Sequence, residues 1–341
     1  MNATPKSLRT EILRGIRKAF LEFESATKVE LSDKLGISFP TISKFLSQME
    51  KDGELISIGL DDSSGGRRAK RYAYNPEFML GLAIFLERTE TNYLVFNCLG
   101  EVKDVGKTSS ALLDDDLTIL TKCVEEILEK YPKITSVVIG VPGSVDNGRI
   151  IYIPGYDHLQ NFDLKGYLEN LFSIPVVIEN DMNAAVRGFH DSMGIKKNKS
   201  LIYLYSGQNG PGAGIMVNGV VVRGKTNFSG EVSFVPQYDD RNFGQALKIG
   251  NRSKKAIISE EYEIDAISRL VASFTAIINP HTIIFCHDEV NQFTLDQIVE
   301  RSSKYISAEH LPELIMSDWK QDYLFGLQSL GLDLMITEIS S

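Results

Sequence analysis

Three groups of residues have types and spacings that could do chemistry. The first follows a short apolar run, Val176-Val177-Ile178, and reads Glu179-Asn180-Asp181. A similar run, Val137-Val138-Ile139, ends in Gly140-Val141-Pro142-Gly143. Both runs read as buried strands, and polar groups just past the carboxyl ends of strands in an open α/β sheet are where ligands bind. A carboxylate placed there can accept a hydrogen bond, or a proton, from a ligand hydroxyl, and an Asn amide offers both a donor and an acceptor. The plainer reading of Asn180 and Asp181 is a polar turn that closes a strand.

The second group is Ser38, Thr41, Ser43 and Lys44. Short hydroxyls and one ammonium group suit base edges and phosphates in a DNA groove. The third is the basic run Arg67, Arg68, Lys70 and Arg71, which follows Asp61-Asp62-Ser63-Ser64-Gly65-Gly66. Its glycines let a backbone approach closely, and its guanidinium groups can clamp phosphates or enter a minor groove. The plainer alternative for both groups is a protein-interaction module with a solvated basic turn.

The elements that must position these groups follow from periodicity. Leu8, Ile12, Ile16 and Phe20 form the stripe of an amphipathic helix. Thr27 with Glu30 makes a capping box for a second helix that buries Leu31 and Leu35 and stops at Gly36. Ser38 is a suitable cap for a third helix, with Pro40 in its first turn and Ile42, Phe45, Leu46 and Met49 on its buried face. Leu55, Ile56 and Ile58 read as a strand, with Tyr72 and Tyr74 as its return, so the basic run falls on a wing-like hairpin. Helix, short turn, helix, hairpin is the plan of a winged helix-turn-helix.

Beyond about Asn75 the pattern alternates strand and helix, the mark of an α/β domain. Strands are expected at 83–86, 93–96, 137–139, 176–178, 201–205, 215–217 and 220–222, and a helix at 117–128.

Of the 341 residues 43% are hydrophobic, enough for two or three packed units. Residues 1–80 carry a net charge of +2 and the remainder −11. A mildly basic head on an acidic body suits a local DNA contact by a ligand-binding protein. The opening residues lead into an amphipathic stretch, not an apolar one, and no apolar run is long enough to span a bilayer. Cys98, Cys123 and Cys286 are few and far apart. They argue against a disulfide framework and for a reducing cytoplasm.

The chain resembles the ROK family (repressor, open reading frame, kinase), which comprises bacterial sugar-responsive repressors and sugar kinases. The match runs from about residue 8 to the C-terminus. It rests on the helix-turn-helix with its Gly65-Gly66-Arg67 wing, on Gly140-Val141-Pro142-Gly143 and on Glu179-Asn180-Asp181-Met182-Asn183-Ala184-Ala185. Gly210-Pro211-Gly212-Ala213-Gly214, Gly230-Glu231 and Ile278-Asn279-Pro280 complete it. The resemblance implies a two-lobed, actin-like (ribonuclease H-like) fold with the ligand between the lobes, and a homodimer or homotetramer. It places Asp181 where the family's kinases have their catalytic base, and Asn180 and Glu231 at sugar contacts.

Two family features are missing. Ala83 falls where the kinases' first strand has an Asp, and Phe85 and Leu86 where it has glycines; Gln208 replaces the first glycine of the second loop. A phosphate cradle and its metal-organising carboxylate are therefore lost. The family's structural zinc motif begins with a His and continues through three cysteines. Here Phe234 stands at the His position, and residues 236–251 cannot supply four N/S ligands. Phe234 is expected to stack on an apolar ligand face instead.

The expectation is a winged helix-turn-helix over 1–75, a first α/β lobe over 76–190 to which a helix at 323–341 returns, and a second lobe over 191–322. The DNA-binding residues are Ser38, Thr41, Ser43, Lys44, Arg67, Arg68 and Lys70; the effector-binding ones are Asn180, Asp181, Glu231 and Phe234. No catalytic residue, cofactor or metal is expected. The partners are a double-stranded DNA operator and a sugar effector, for a regulator of carbohydrate genes in the cytoplasm, on the nucleoid when bound to DNA, with no membrane contact. Two other readings stand beside it: a working ATP-dependent sugar kinase, and a regulator whose effector site is decayed or takes a ligand other than a sugar.

Overall fold

A computed structural model describes residues 5–60, 68–113, 117–194, 198–207, 210–247 and 257–338. The head comprises α1 (Pro5–Phe23), β1 (Ser25–Thr27), α2 (Lys28–Leu35), α3 (Phe39–Lys51), β2 (Leu55–Leu60) and β3 (Lys70–Tyr74). Ile16 and Phe20 of the α1 stripe are fully buried, but Leu8 is exposed near the start of the helix. The capping box is present: Thr27 Oγ1 accepts from the Glu30 N–H at 3.2 Å, and Glu30 Oε2 accepts from the Thr27 N–H at 2.7 Å. Gly36 takes a φ of +64°, where a side chain would strain the turn. Ser38 stands at the N-cap position of α3 but makes no side-chain cap; its hydroxyl pairs with that of Thr41 at 2.9 Å. The hairpin gains a third strand absent from the sequence reading, since β1 pairs with β3 to give the order β1-β3-β2. The basic tip, including Arg67, lies outside the described residues.

The first lobe contains β4 (Leu80–Leu86), β5 (Glu90–Asn97), β6 (Val102–Ser109), α4 (Thr118–Lys130) and β7 (Ile134–Val141). A small sheet follows, of β8 (Ser144–Asp146), β9 (Arg149–Tyr152) and β10 (Phe162–Asp163). Then come α5 (Leu164–Phe172), β11 (Val176–Asn180) and α6 (Asp181–Ser192). The second lobe contains β12 (Leu201–Tyr205), β13 (Gly212–Val217), β14 (Val220–Val221), β15 (Pro236–Tyr238) and β16 (Arg241–Asn242). It continues with α7 (Phe243–Leu247), α8 (Glu261–Ile277), β17 (Thr282–Cys286), α9 (Gln292–Ser302) and β18 (Glu313–Ser317), and α10 (Trp319–Glu338) follows.

The main sheets run β11-β7-β4-β5-β6 and β14-β13-β12-β17-β18. In each lobe the first three strands form an antiparallel meander and the fourth and fifth add in parallel beside the first. The two lobes are thus one topology used twice.

Two helices join the lobes. α6 leads out of the first lobe, and α10 comes back from the second to lie on α6, β4 and β7. They cross at backbone contact. A Cβ on Gly188 would lie 1.8 Å from the Asp322 carbonyl oxygen, and one on Gly326 would lie 1.9 Å from that of Ala184. Tyr323, Leu327 and Met335 of α10 join Ala83, Phe96 and Val138 in a core that is continuous with the head's Ile16, Phe20 and Tyr74. At the far end of α10, Arg17 Nη1 of α1 donates to the Ile336 carbonyl at 3.5 Å. Arg17 itself is buried and ion-paired with Glu54 at 2.6 Å, and Tyr74 donates its hydroxyl proton to the same carboxylate. With 20 residues, α10 spans about 30 Å from the lobe junction to the head. No helix among the described residues is long and apolar enough to cross a membrane.

Candidate functional site

β11 ends at Asn180 and α6 begins at Asp181, so the backbone turns sharply at this motif. Asn180 caps the helix: its Oδ1 accepts from the Asn183 N–H at 2.9 Å. Its Nδ2 donates to the Gly143 carbonyl at 2.9 Å and to Asp181 Oδ1 at 3.1 Å. Both amide hydrogens are therefore in use, and Asn180 ties the two strand-end motifs together. The Asp181 Oδ1 atom also accepts from the Met182 N–H at 2.8 Å. Burial pushes the Asp181 carboxyl up to about 7, against the pull of that N–H, and the Glu231 carboxylate adds to the rise. Burial likewise raises Glu231.

Asn180, Asp181 and Glu231 line one cavity of about 270 Å³ between the lobes. Gly143 and Pro154 join them from the first lobe, and Ser229, Gly230 and Ser233 from the second. Two carboxyl groups raised by burial, one from each lobe, with the Ser229 and Ser233 side chains beside Glu231, can both donate to and accept from a polyol. Phe234 is not among the lining residues. Its ring is half exposed and packs on Phe228 at 5.3 Å.

A second stretch of the wall was not read from the sequence. Tyr205 at the end of β12 and Trp319 at the start of α10 stack at 4.4 Å with 23° between their planes. Trp319 leans on Tyr323, and Tyr323 meets the ring of Phe85 edge-on at 5.7 Å. Phe85 and Ala83 are buried inside β4, and Lys320 lies over the Phe85 ring while facing Glu90 at 3.4 Å. Both first strands thus end in aromatic packing. No motif or spacing in the sequence marks Trp319.

The glycine motifs serve packing. A Cβ on Gly140 would lie 1.9 Å from the Tyr323 hydroxyl, and one on Gly214 would lie 2.0 Å from the Met182 carbonyl oxygen. The zinc motif does not fit this chain: Phe234 offers a carbon ring, and no group of three His, Cys, Asp or Glu among the described residues could hold a metal ion.

In the head, α3 presents Ser38 and Lys44 as exposed residues, with Thr41 and Ser43 half-buried. Ser43 Oγ accepts from Lys28 Nζ at 2.9 Å. Lys70 is held by Glu50 of α3 and lies over the Tyr72 ring at 5.1 Å. Arg68 is exposed.

The ROK family model matches residues 82–244. The xylose repressor of Bacillus spizizenii is 27% identical over 225 residues, covering 63% of this chain and 57% of that protein. The chain thus spans little more than half the length of that relative. The xylose repressor of Staphylococcus xylosus is 24% identical over 352 residues, covering 95% of this chain and 89% of that protein. Among solved structures, a ROK family transcriptional regulator described as a homologue of the Escherichia coli MLC protein aligns with a TM-score of 0.69 at 17% identity. That alignment covers 96% of this chain and 99% of the other. The repeated mixed sheets have the actin-like arrangement of these proteins, and residues 82–244 match the ROK family.

Proposed function

We propose that this protein is a DNA-binding repressor of carbohydrate genes, controlled by a sugar or sugar derivative in the cleft between its lobes. The carrying observation is that Asp181 and Glu231 reach one cavity from opposite lobes, while α10 runs from that cavity's wall to the head. A ligand bridging two lobes binds the closed form better than the open one, and only such a difference can shift the equilibrium. The relatives' description as xylose repressors makes small uncharged sugars, xylose among them, the first ligands to test.

The head, residues 1–75, is read as a winged helix-turn-helix, with Ser38, Thr41, Lys44 and Arg68 facing DNA and the hairpin tip with Arg67 as its wing. Ser43 and Lys70 hold positions in the head and contact DNA through their neighbours. Residues 76–190 with the returning helix form one lobe and 191–322 the other. A homodimer on a two-fold symmetric operator in the cytoplasm completes the reading. Asn180 acts mainly by fixing Asp181, since its amide hydrogens are committed, and Phe234, packed on Phe228 outside the cavity lining, is given no ligand contact. The absence of kinase activity is part of the proposal, supported by the aromatic packing at Phe85.

A thermal-shift screen of sugars, amino sugars and sugar phosphates, followed by gel shifts with the best ligand, tests this reading. Asp181→Ala and Glu231→Ala should abolish the shift and the ligand's effect on the gel, and leave DNA affinity of the free protein within about twofold, because neither residue lies in the head. A response intact in both variants would place the pocket elsewhere. Sugar-dependent ADP release lost in Asp181→Asn would restore the kinase reading.

A further inference from the structure

The loop 223–231 leaves β14 of the second lobe and supplies Ser229 and Glu231 to the cavity. It is tied to the first lobe at two points. Arg223 Nη2 pairs with Glu179 Oε2 at the end of β11. Ser144 Oγ of β8 donates to the Asn227 carbonyl at 2.6 Å. Within the loop, the Ser229 N–H donates to the Arg223 carbonyl at 3.2 Å and the Glu231 N–H to that of Phe228 at 3.3 Å. A displacement at either tether is therefore passed on to Glu231.

The first tether also reaches the other wall. The Glu179 side chain is only 8% exposed, whereas that of Arg223 is 44% exposed. The second oxygen of Glu179, Oε1, accepts from the Asn180 N–H at 2.9 Å and from Asn183 Nδ2 at 3.2 Å. One carboxylate thus holds the turn that carries Asp181 and, through Arg223, the loop that carries Glu231. Neither Arg223 nor Glu179 is among the residues lining the cavity, so any effect on a ligand passes through the turn and the loop that this pair holds.

We propose that Arg223 is a positioning residue that latches the two lobes through Glu179 and sets how far the cleft is closed before any ligand arrives. The regulatory meaning rests on the cleft being the effector site; the latch itself does not. Opening the lobes separates the guanidinium from a buried carboxylate that has no other cation in contact with it among the described residues. Charge-assisted bonds of this kind are stronger than neutral ones, and removing one partner leaves the other buried without a counter-charge. Because Arg223 is partly solvated, we expect its loss to raise the open-to-closed ratio by about tenfold, not by several orders of magnitude.

The test is a distance measurement on full-length, ligand-free protein. Nitroxide labels are placed at Glu129→Cys on α4 and Glu300→Cys on α9, both exposed, while Cys98, Cys123 and Cys286 are buried. Double electron–electron resonance then reads the spacing of the lobes. Arg223→Gln should add a longer-distance population, and Arg223→Lys, which keeps the charge, should stay near wild type. Glu179→Gln keeps an acceptor for Asn180 and loses the charge, so it should open the cleft like Arg223→Gln and serves if that variant does not fold. Distributions identical to wild type in the glutamine variants overturn the proposal. So does an Arg223→Lys variant that opens as far as Arg223→Gln. No ligand enters the measurement, so failure to find a sugar effector leaves the result standing.

Discussion

Replacing Asp181 by Asn should stabilise the ligand-free protein at pH 8 and leave it nearly unchanged at pH 4. Burial raises this carboxyl from an ordinary value near 3.8 to about 7. Between those values the folded protein keeps a proton that the unfolded chain has released. Stability therefore falls as pH rises through that window, and the full cost is present above about pH 7. The gap corresponds to about 4 kcal/mol if the group were wholly shielded. Asp181 borders a cavity that water can enter, so roughly half of this, ~2 kcal/mol, is the working figure. Asn is isosteric, and its Oδ1 can accept from Met182 and Asn180 as the Asp oxygen does. The gain should appear as a rise of about 4 °C in the unfolding midpoint of the body at pH 8, shrinking to under about 1 °C at pH 4. Calorimetry across this range is the assay. An equal gain at both pH values, or a loss at pH 8, would refute the argument that the carboxylate is strained by burial. The expected trade is also clear: the variant gains stability and loses the ligand response, as sites held ready for a partner generally do.

Two further outcomes follow from packing. Gly188→Ala forces a methyl to 1.8 Å from the Asp322 carbonyl oxygen, so it should cost about 3 kcal/mol or more in denaturant unfolding; Gly15→Ala in α1, whose new methyl would meet only Leu35 at 3.5 Å, should gain about 0.5–1 kcal/mol. Trp319, the one tryptophan of the chain, should change its emission saturably with any ligand of the cleft, with the same midpoint as the thermal shift; a ligand that alters the gel shift but leaves this emission untouched binds elsewhere.

Local features were the most legible in the sequence. The Thr27–Glu30 box and the Gly36 turn depend on neighbours within a few residues, so their chemistry is written in the spacing. Leu8 fits the same apolar stripe as Ile16, yet it is exposed, because periodicity marks a face and not how far that face is covered. β6 escaped notice because this edge strand carries Lys103, Asp104 and Lys107 between exposed valines, a pattern that reads as a loop. Asp181 and Glu231 were found through motifs, and the structure brings both to the cavity with Asn180. Tyr205, Trp319 and Arg223 were not found, since each acquires its role from a partner more than 40 residues away in another lobe or helix. The duplicated sheet order is equally silent, because a core constrains volume and polarity more than identity.

The return of α10 across the first lobe has a consequence for how the protein is made. β4 and β7 emerge from the ribosome early, but the helix that covers one of their faces is translated only after the entire second lobe. Until then Phe96, Val138 and the bare backbone of Gly140 lack the side chains of Tyr323, Leu327 and Met335 that seal them. The head, too, lacks the Ile336 carbonyl against which Arg17 rests. An incomplete chain therefore carries an open apolar face beside a formed head, a species that chaperones and proteases recognise. Truncation within the second lobe, before Trp319, should remove the protein from the cell instead of leaving a stable fragment.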